Sequence, residues 1–143
     1  WLFETRMASD RLSEMFRSNA VYDCDLGILS RSVIPALFDM EKSRAEDFGS
    51  SLAFLILKLR TENLSESLDV VRKNMRRTDY LFYLGGGEVM LLLVECSAHG
   101  SVAMIQRMKK VLAFKLLSSG YSVYPEQGES VDVLISEAQG ALV

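Results

Sequence analysis

The stretch from Tyr80 to Val94 constrains this chain more than any other. Tyr80-Leu81-Phe82-Tyr83-Leu84 is rich in aromatic strand formers. Gly85-Gly86-Gly87 follows, and then Val89 to Val94 is an apolar run. Two such runs around a short glycine turn predict a β-hairpin, because glycine adopts backbone conformations that other residues resist. A hairpin this apolar must be covered by other elements.

The rest of the chain supplies the cover. Leu52-Ala53-Phe54-Leu55-Ile56-Leu57 is a short dense apolar run, as expected of a strand buried on both faces. Helices are predicted over Arg31 to Asp47, with Ser30 or Ser32 as cap and Pro35 in the first turns, and over Asn63 to Met75. In the latter, Leu64, Leu68, Val71 and Met75 recur at helical spacing. A further helix is predicted from Ser101 to Leu117, burying Ile105, Met108, Leu112 and Leu116. Arg107 lies about 200° around that helix from Ile105, away from the core stripe. Tyr121 to Tyr124 makes a short strand and Val131 to Leu142 a closing helix. This order predicts an α/β fold, one sheet packed against helices.

The 143 residues and 49% hydrophobic content suit one domain with a proper core. Residues 1–20 read as a linker helix, with Leu12, Met15 and Phe16 on one face, and residues 21–143 as the domain. The start at Trp1 suggests a piece of a longer protein. The net charge of -3 argues against a partner such as a nucleic acid polymer, which needs a basic surface. Two cysteines, Cys24 and Cys96, cannot build a disulfide framework, so a reducing compartment is the simpler expectation. They have no CxxC spacing, so zinc is not expected. No apolar run approaches the roughly 20 residues of a membrane helix.

At the hairpin the chain resembles a known family. Gly85-Gly86-Gly87-Glu88-Val89 resembles a degraded GGDEF signature, the hairpin of diguanylate cyclase domains, matching at Gly85, Gly86 and Glu88. Asp23-Cys24-Asp25-Leu26-Gly27-Ile28-Leu29-Ser30-Arg31 looks like the family's D-x-L-T-G-L-x-N-R opening, keeping Asp23, Gly27 and Arg31. Ser122-Val123-Tyr124-Pro125 with Gly128, and Ala138-Gln139-Gly140-Ala141-Leu142, look like its late strand and its A-D-x-A-L terminal helix. The resemblance implies a nucleotidyl-cyclase-like mixed central sheet flanked by helices.

The resemblance also says what is missing. The family joins two GTP molecules into cyclic di-GMP, a phosphoryl transfer that needs divalent metal held by carboxylates. One family carboxylate ends the first long strand. Here Lys58 matches it, or Arg60 in a register two residues later. The other is the third signature residue, here Gly87. The 27 residues from Lys58 to Gly85 are also fewer than in catalytic members. The expectation is a domain that is not an enzyme and binds no metal or cofactor.

Family members often bind the product, cyclic di-GMP, at an inhibitory site with the pattern R-x-x-D just before the hairpin. Arg76-Arg77-Thr78-Asp79 supplies it, with Asp79 six residues before Gly85. Arg44-Ala45-Glu46-Asp47 has the same spacing but no such register, and no role is assigned to it. The family also uses an arginine on the helix after the hairpin, and Arg107 matches it. Arginine forks suit guanine O6 and N7, phosphates and purine faces, and an ionised aspartate can accept from the opposite guanine edge. Arg77 and Arg72 are secondary candidates. From Arg72 to Asp79 the segment carries four cations against one acid. The plain alternative is an ordinary surface ion pair between Arg76 and Asp79.

These points imply a cyclic di-GMP receptor, taking one ligand or an intercalated pair, as in degenerate domains of Pel-type exopolysaccharide and biofilm regulators. Its expected setting is the bacterial cytoplasm or the cytoplasmic side of an inner-membrane protein. A neighbouring domain or a second copy of the chain is the expected protein partner. The alternative is a fold kept for dimerisation or docking that binds no nucleotide. His99 is expected in a polar turn, and Met75, Met104 and Met108 in the core.

Overall fold

The computed structural model describes residues 22–23 and 28–143. The proposed linker helix at residues 1–20 lies outside these, as do Cys24 and Gly27.

Two faces of one long strand organise the molecule. Strand β3 (Leu52–Leu59) pairs antiparallel with both β5 (Glu88–Val94) and β6 (Leu116–Tyr124). Its residues from Leu52 to Leu57 are all buried, as the dense apolar run predicts. Phe54 and Ile56 point to one face, where helix α1 (Ile34–Phe48) contributes Leu37 and Phe38 and helix α4 (Val131–Gly140) contributes Leu134 and Ala138. Ala53, Leu55 and Leu57 point to the other, against Leu68 and Val71 of α2 (Leu64–Lys73) and Met108 and Leu112 of α3 (Ala98–Leu112). The alternation is the two-residue period of a strand, applied to a sheet covered on both sides.

The hairpin forms as its sequence dictates. Strand β4 (Tyr80–Gly85) pairs antiparallel with β5, and Gly85, Gly86 and Gly87 all take positive φ. Strands β1 (Tyr22–Asp23) and β2 (Ile28–Ser30) form a short antiparallel pair, and β2 runs parallel to β4. The order across the mixed sheet is β1-β2-β4-β5-β3-β6. Strands of two or three residues carry no readable period, so β1 and β2 were not legible in sequence.

Helix α3 departs from expectation at both ends. It begins at Ala98, because the Ser97 side chain caps it by accepting from the Gly100 amide. His99 therefore sits exposed in the first helical turn, not in a polar turn. The helix ends at Leu112, where Ala113 takes a φ of 52°. Leu116 opens β6 instead of closing the helix, so the strand expected over Tyr121–Tyr124 is five residues longer at its start. The apolar spacing of Leu112 and Leu116 continues the helical stripe by coincidence, and no proline or glycine marks the break. The other helices sit close to their expected bounds. Ser30 accepts from the Ser32 amide, and residues 31–33 form a 3-10 turn before α1. Met108 is fully buried, while Met75 and Met104 pack partly against the same face.

Two tyrosines, Tyr124 buried and Tyr80 half-buried, tie α1 to the sheet. The Tyr80 hydroxyl donates to Glu41 at 2.8 Å, and the Tyr124 hydroxyl donates to Glu46 at 2.8 Å. Burial first, and then these acceptors, hold both phenols well above the ordinary tyrosine range, Tyr124 at about 12.

Candidate functional site: an arginine-lined cleft beside the hairpin

Helix α2 ends at Lys73, and the chain turns through Arg76 to Asp79 before entering β4. Inside this turn the Asp79 amide donates to the Arg76 carbonyl at 3.1 Å. The Asp79 carboxylate folds back beneath the turn and is wholly buried. Its Oδ2 accepts from the Arg76 amide at 3.1 Å and from Arg76 Nε at 3.3 Å. Its Oδ1 accepts from Arg76 Nη2 at 3.1 Å and from the Val94 amide at 3.3 Å. Arg76 Nη2 also donates to the Val94 carbonyl. The turn is thus locked to the end of β5 by one carboxylate and one guanidinium.

This arrangement differs from an ordinary surface ion pair. The Asp79 side chain is 0% exposed while that of Arg76 is 50% exposed. Two-point contact with the buried carboxylate fixes the guanidinium plane and leaves its outer edge to solvent.

That edge opens into a cleft of about 240 Å³ between the turn, the end of β5 and helix α3. Arg107, exposed on α3, lines the same cleft. Leu93, Ala103 and Met104 add apolar surface, and Glu95 adds an acid. The structure therefore brings Arg76 and Arg107 together across 31 residues of chain. It does not bring Arg72 or Arg77 into the cleft. Arg72 pairs with Asp69 at 2.9 Å on the surface of α2, and Arg77 is exposed beyond the lining. Asp79 is not a lining residue either; it holds Arg76 in place.

Sequence reasoning missed Glu95 and Cys96 as cleft residues. Glu95 takes a φ of 49°, a left-handed conformation that turns the chain from β5 toward α3. Cys96 is buried, a free thiol with Sγ 3.7 Å from Ser101 Oγ. Neither position stands out in sequence, because a lone Glu-Cys pair after a strand has no spacing that marks a site.

The hairpin tip is the second place that matters. Lys58 pairs in register with Glu88 across β3 and β5, so their side chains share a face. Glu88 Oε1 accepts from Gln139 of α4 at 3.4 Å. Gly87 is buried, and its carbonyl accepts from the Leu59 amide at 2.8 Å. A Cβ on Gly87 would stand 2.5 Å from the Leu59 carbonyl oxygen. The donor set that a divalent cation would need does not fit here. It contains one carboxylate, an ammonium, and a glycine with backbone packed where a side chain would go. Among the described residues no three His, Cys, Asp or Glu side chains converge to hold a metal ion.

Comparison with known proteins supports the fold. No protein-family model matches the chain, and no curated protein sequence matches it. Solved structures do. A sensory box/GGDEF family protein from Caulobacter crescentus superposes with a TM-score of 0.74 at 23% identity, covering 86% of this chain and 96% of that one. The GGDEF domain of DgcB from the same organism, solved in complex with c-di-GMP, gives 0.73 at 14% identity, with 86% and 85% covered. The active GGEEF domain of a diguanylate cyclase from Vibrio cholerae gives 0.70 at 12% identity, with 79% and 87% covered. The chain therefore has the GGDEF-domain fold, an α/β mixed sheet flanked by helices.

Proposed function

We propose that this domain is a catalytically inactive GGDEF-fold receptor for cyclic di-GMP. The observation that carries the proposal is the convergence of Arg76 and Arg107 on one cleft, with Arg76 pinned by the buried Asp79 carboxylate. Two guanidinium groups over an apolar wall suit a ligand that presents both phosphates and purine faces. The solved complex of the DgcB GGDEF domain with c-di-GMP supports the choice of ligand. In this proposal Arg76 and Arg107 contact the ligand and Asp79 positions Arg76. Arg72 and Arg77 contribute only local positive charge. The cleft takes one ligand or one member of an intercalated pair.

Inactivity is proposed from the hairpin tip. By the resemblance, Lys58 (or Arg60) and Gly87 match the metal-binding carboxylates of catalytic members, and Glu88, paired in register with Lys58, supplies one carboxylate alone. Binding then acts by biasing the domain's position against a neighbouring domain or a second copy, a population shift rather than a reaction. The setting we propose is the cytoplasm of a bacterium, in a regulator of exopolysaccharide secretion and biofilm formation. Among the described residues no helix is long and apolar enough to cross a membrane.

Isothermal titration with cyclic di-GMP tests the reading. Binding in the micromolar range or tighter, weakened in Arg76→Ala and Arg107→Ala, is expected. No binding by the wild-type chain, or undiminished binding by Arg76→Ala, overturns it. Incubation with GTP and magnesium is expected to give no product.

A further inference from the structure

We infer that the loop where α3 gives way to β6 is a docking surface for an anionic lipid bilayer, with Phe114 as its apolar anchor and Arg60, Lys109, Lys110 and Lys115 as its charged rim. The inference does not depend on the cleft or its ligand. From Cys96 to Pro125 the chain holds Arg107, Lys109, Lys110 and Lys115 and no Asp or Glu, in a protein whose net charge is -3. Three of these cations stand within five residues of Phe114. The Phe114 side chain is 74% exposed, and Leu117 beyond it is 48% exposed. An aromatic ring left in water forgoes the gain that burial brings.

The fold holds the ring out by specific contacts. Ala113 takes φ 52° and ψ -126°, a conformation that glycine visits and alanine adopts at a cost. This break ends α3 and sends the chain into β6. Arg60, at the exit of β3, clasps the loop from the other side. Its amide donates to the Lys115 carbonyl at 2.9 Å, and its Nε donates to the Phe114 carbonyl at 2.9 Å. The guanidinium therefore lies beside the Phe114 backbone. The Ala113 amide donates to the Lys109 carbonyl, which ties the last turn of α3 to the same loop. Lys109 and Lys110 are exposed, and among the described residues neither forms an ion pair. Lys115 meets Glu66 at 3.7 Å, a loose pair whose acid is 70% exposed. Glu62, two residues after Arg60, is the second acid near the loop in sequence.

A strained, clasped loop that keeps an aromatic ring in water among cations suits a membrane surface. Phe and Leu enter the acyl boundary there, while Lys and Arg meet anionic headgroups. The contact lies on the bilayer and does not cross it. A second copy of the chain fits less well, because a two-fold contact would set these cations against their own image. A polyanion such as RNA would draw on the cations but has no use for Leu117.

Co-sedimentation of the whole chain with lipid vesicles tests the inference. The wild type should bind vesicles of phosphatidylcholine mixed with phosphatidylserine, should not bind phosphatidylcholine alone, and should be released by high salt. Phe114→Ala should weaken binding about tenfold, the loss of one buried ring. The double variant Lys109→Glu, Lys110→Glu should abolish it. Both should keep the wild-type melting temperature, since the substituted side chains are exposed. No binding to the mixed vesicles overturns the inference. Undiminished binding by Phe114→Ala overturns it too, because the contact would then be charge without an anchor. Binding to single-stranded RNA in place of vesicles overturns it in favour of a polyanion. A lipid-free dimer that Phe114→Ala dissociates overturns it in favour of a second copy.

Discussion

Asp79 holds Arg76 from below: the carboxylate is fully buried, and it meets Arg76 Nη2 at 3.1 Å and Nε at 3.3 Å. The pair therefore joins two functions in one contact. It closes the turn between α2 and β4, and it aims a guanidinium into the cleft. Asp79→Ala should leave the Arg76 and Val94 amides without their acceptor, at a cost of about 1–3 kcal/mol. Thermal unfolding should drop by several degrees, and cyclic di-GMP binding should fall with it.

Arg107 gives the contrasting case. It is exposed on α3 and lines the cleft, and among the described residues it has no buried partner to orphan. Arg107→Ala should weaken cyclic di-GMP binding about tenfold or more while leaving the melting temperature in place, since exposed substitutions seldom move stability by more than about 0.5 kcal/mol. Arg72→Ala and Arg77→Ala should change affinity less than about threefold, a screened charge effect without a direct contact. Titration calorimetry beside a melting curve separates these outcomes.

Gly87 cannot take a side chain without strain. Its φ of 84° and the Leu59 carbonyl 2.5 Å from a prospective Cβ both oppose a side chain. Gly87→Asp should destabilise the domain by at least about 2 kcal/mol, through backbone strain and the clash with β3. Urea denaturation measures this. A Gly87→Asp chain as stable as the wild type would show that the tip of the hairpin is not packed as described.

The phenols set an alkaline limit on stability. Tyr124 is raised from 10.0 to about 12, mainly by burial and then by its bond to Glu46, and Tyr80 is raised by burial and Glu41. Below pH 10 both phenols keep their protons in the folded and unfolded chain, so stability is unaffected. Above it the unfolded chain loses protons that the folded chain keeps. Stability then falls as pH rises toward 12. The melting temperature should drop across this window, and less steeply in Tyr124→Phe than in the wild type.

The hairpin, the doubly covered strand β3 and the helices around them are legible in local sequence: glycines between two apolar runs, an unbroken apolar run, and apolar residues at helical spacing. The unbroken apolar run from Leu52 to Leu57 and the three glycines are facts of neighbouring residues. The order and register of Arg76, Asp79 and Arg107 were likewise legible. How each side chain is engaged follows instead from contacts between distant segments: Asp79 is buried against Arg76 and Val94, while Arg107 is exposed. The carboxylate of Asp79 looked, in sequence, as available as the guanidinium of Arg76. Its burial follows from the approach of Val94, which is 15 residues further on and brought close by strand pairing. The same approach carries Glu95 to the cleft and leaves Arg72 and Arg77 outside it. The end of α3 was misplaced because Leu116 keeps helical phase with Leu112, while the backbone at Ala113 has already left the helix. A period records which residues share a face. Which polar group is used up by its own protein, and which is left for a ligand, depends on contacts between segments that the period does not contain.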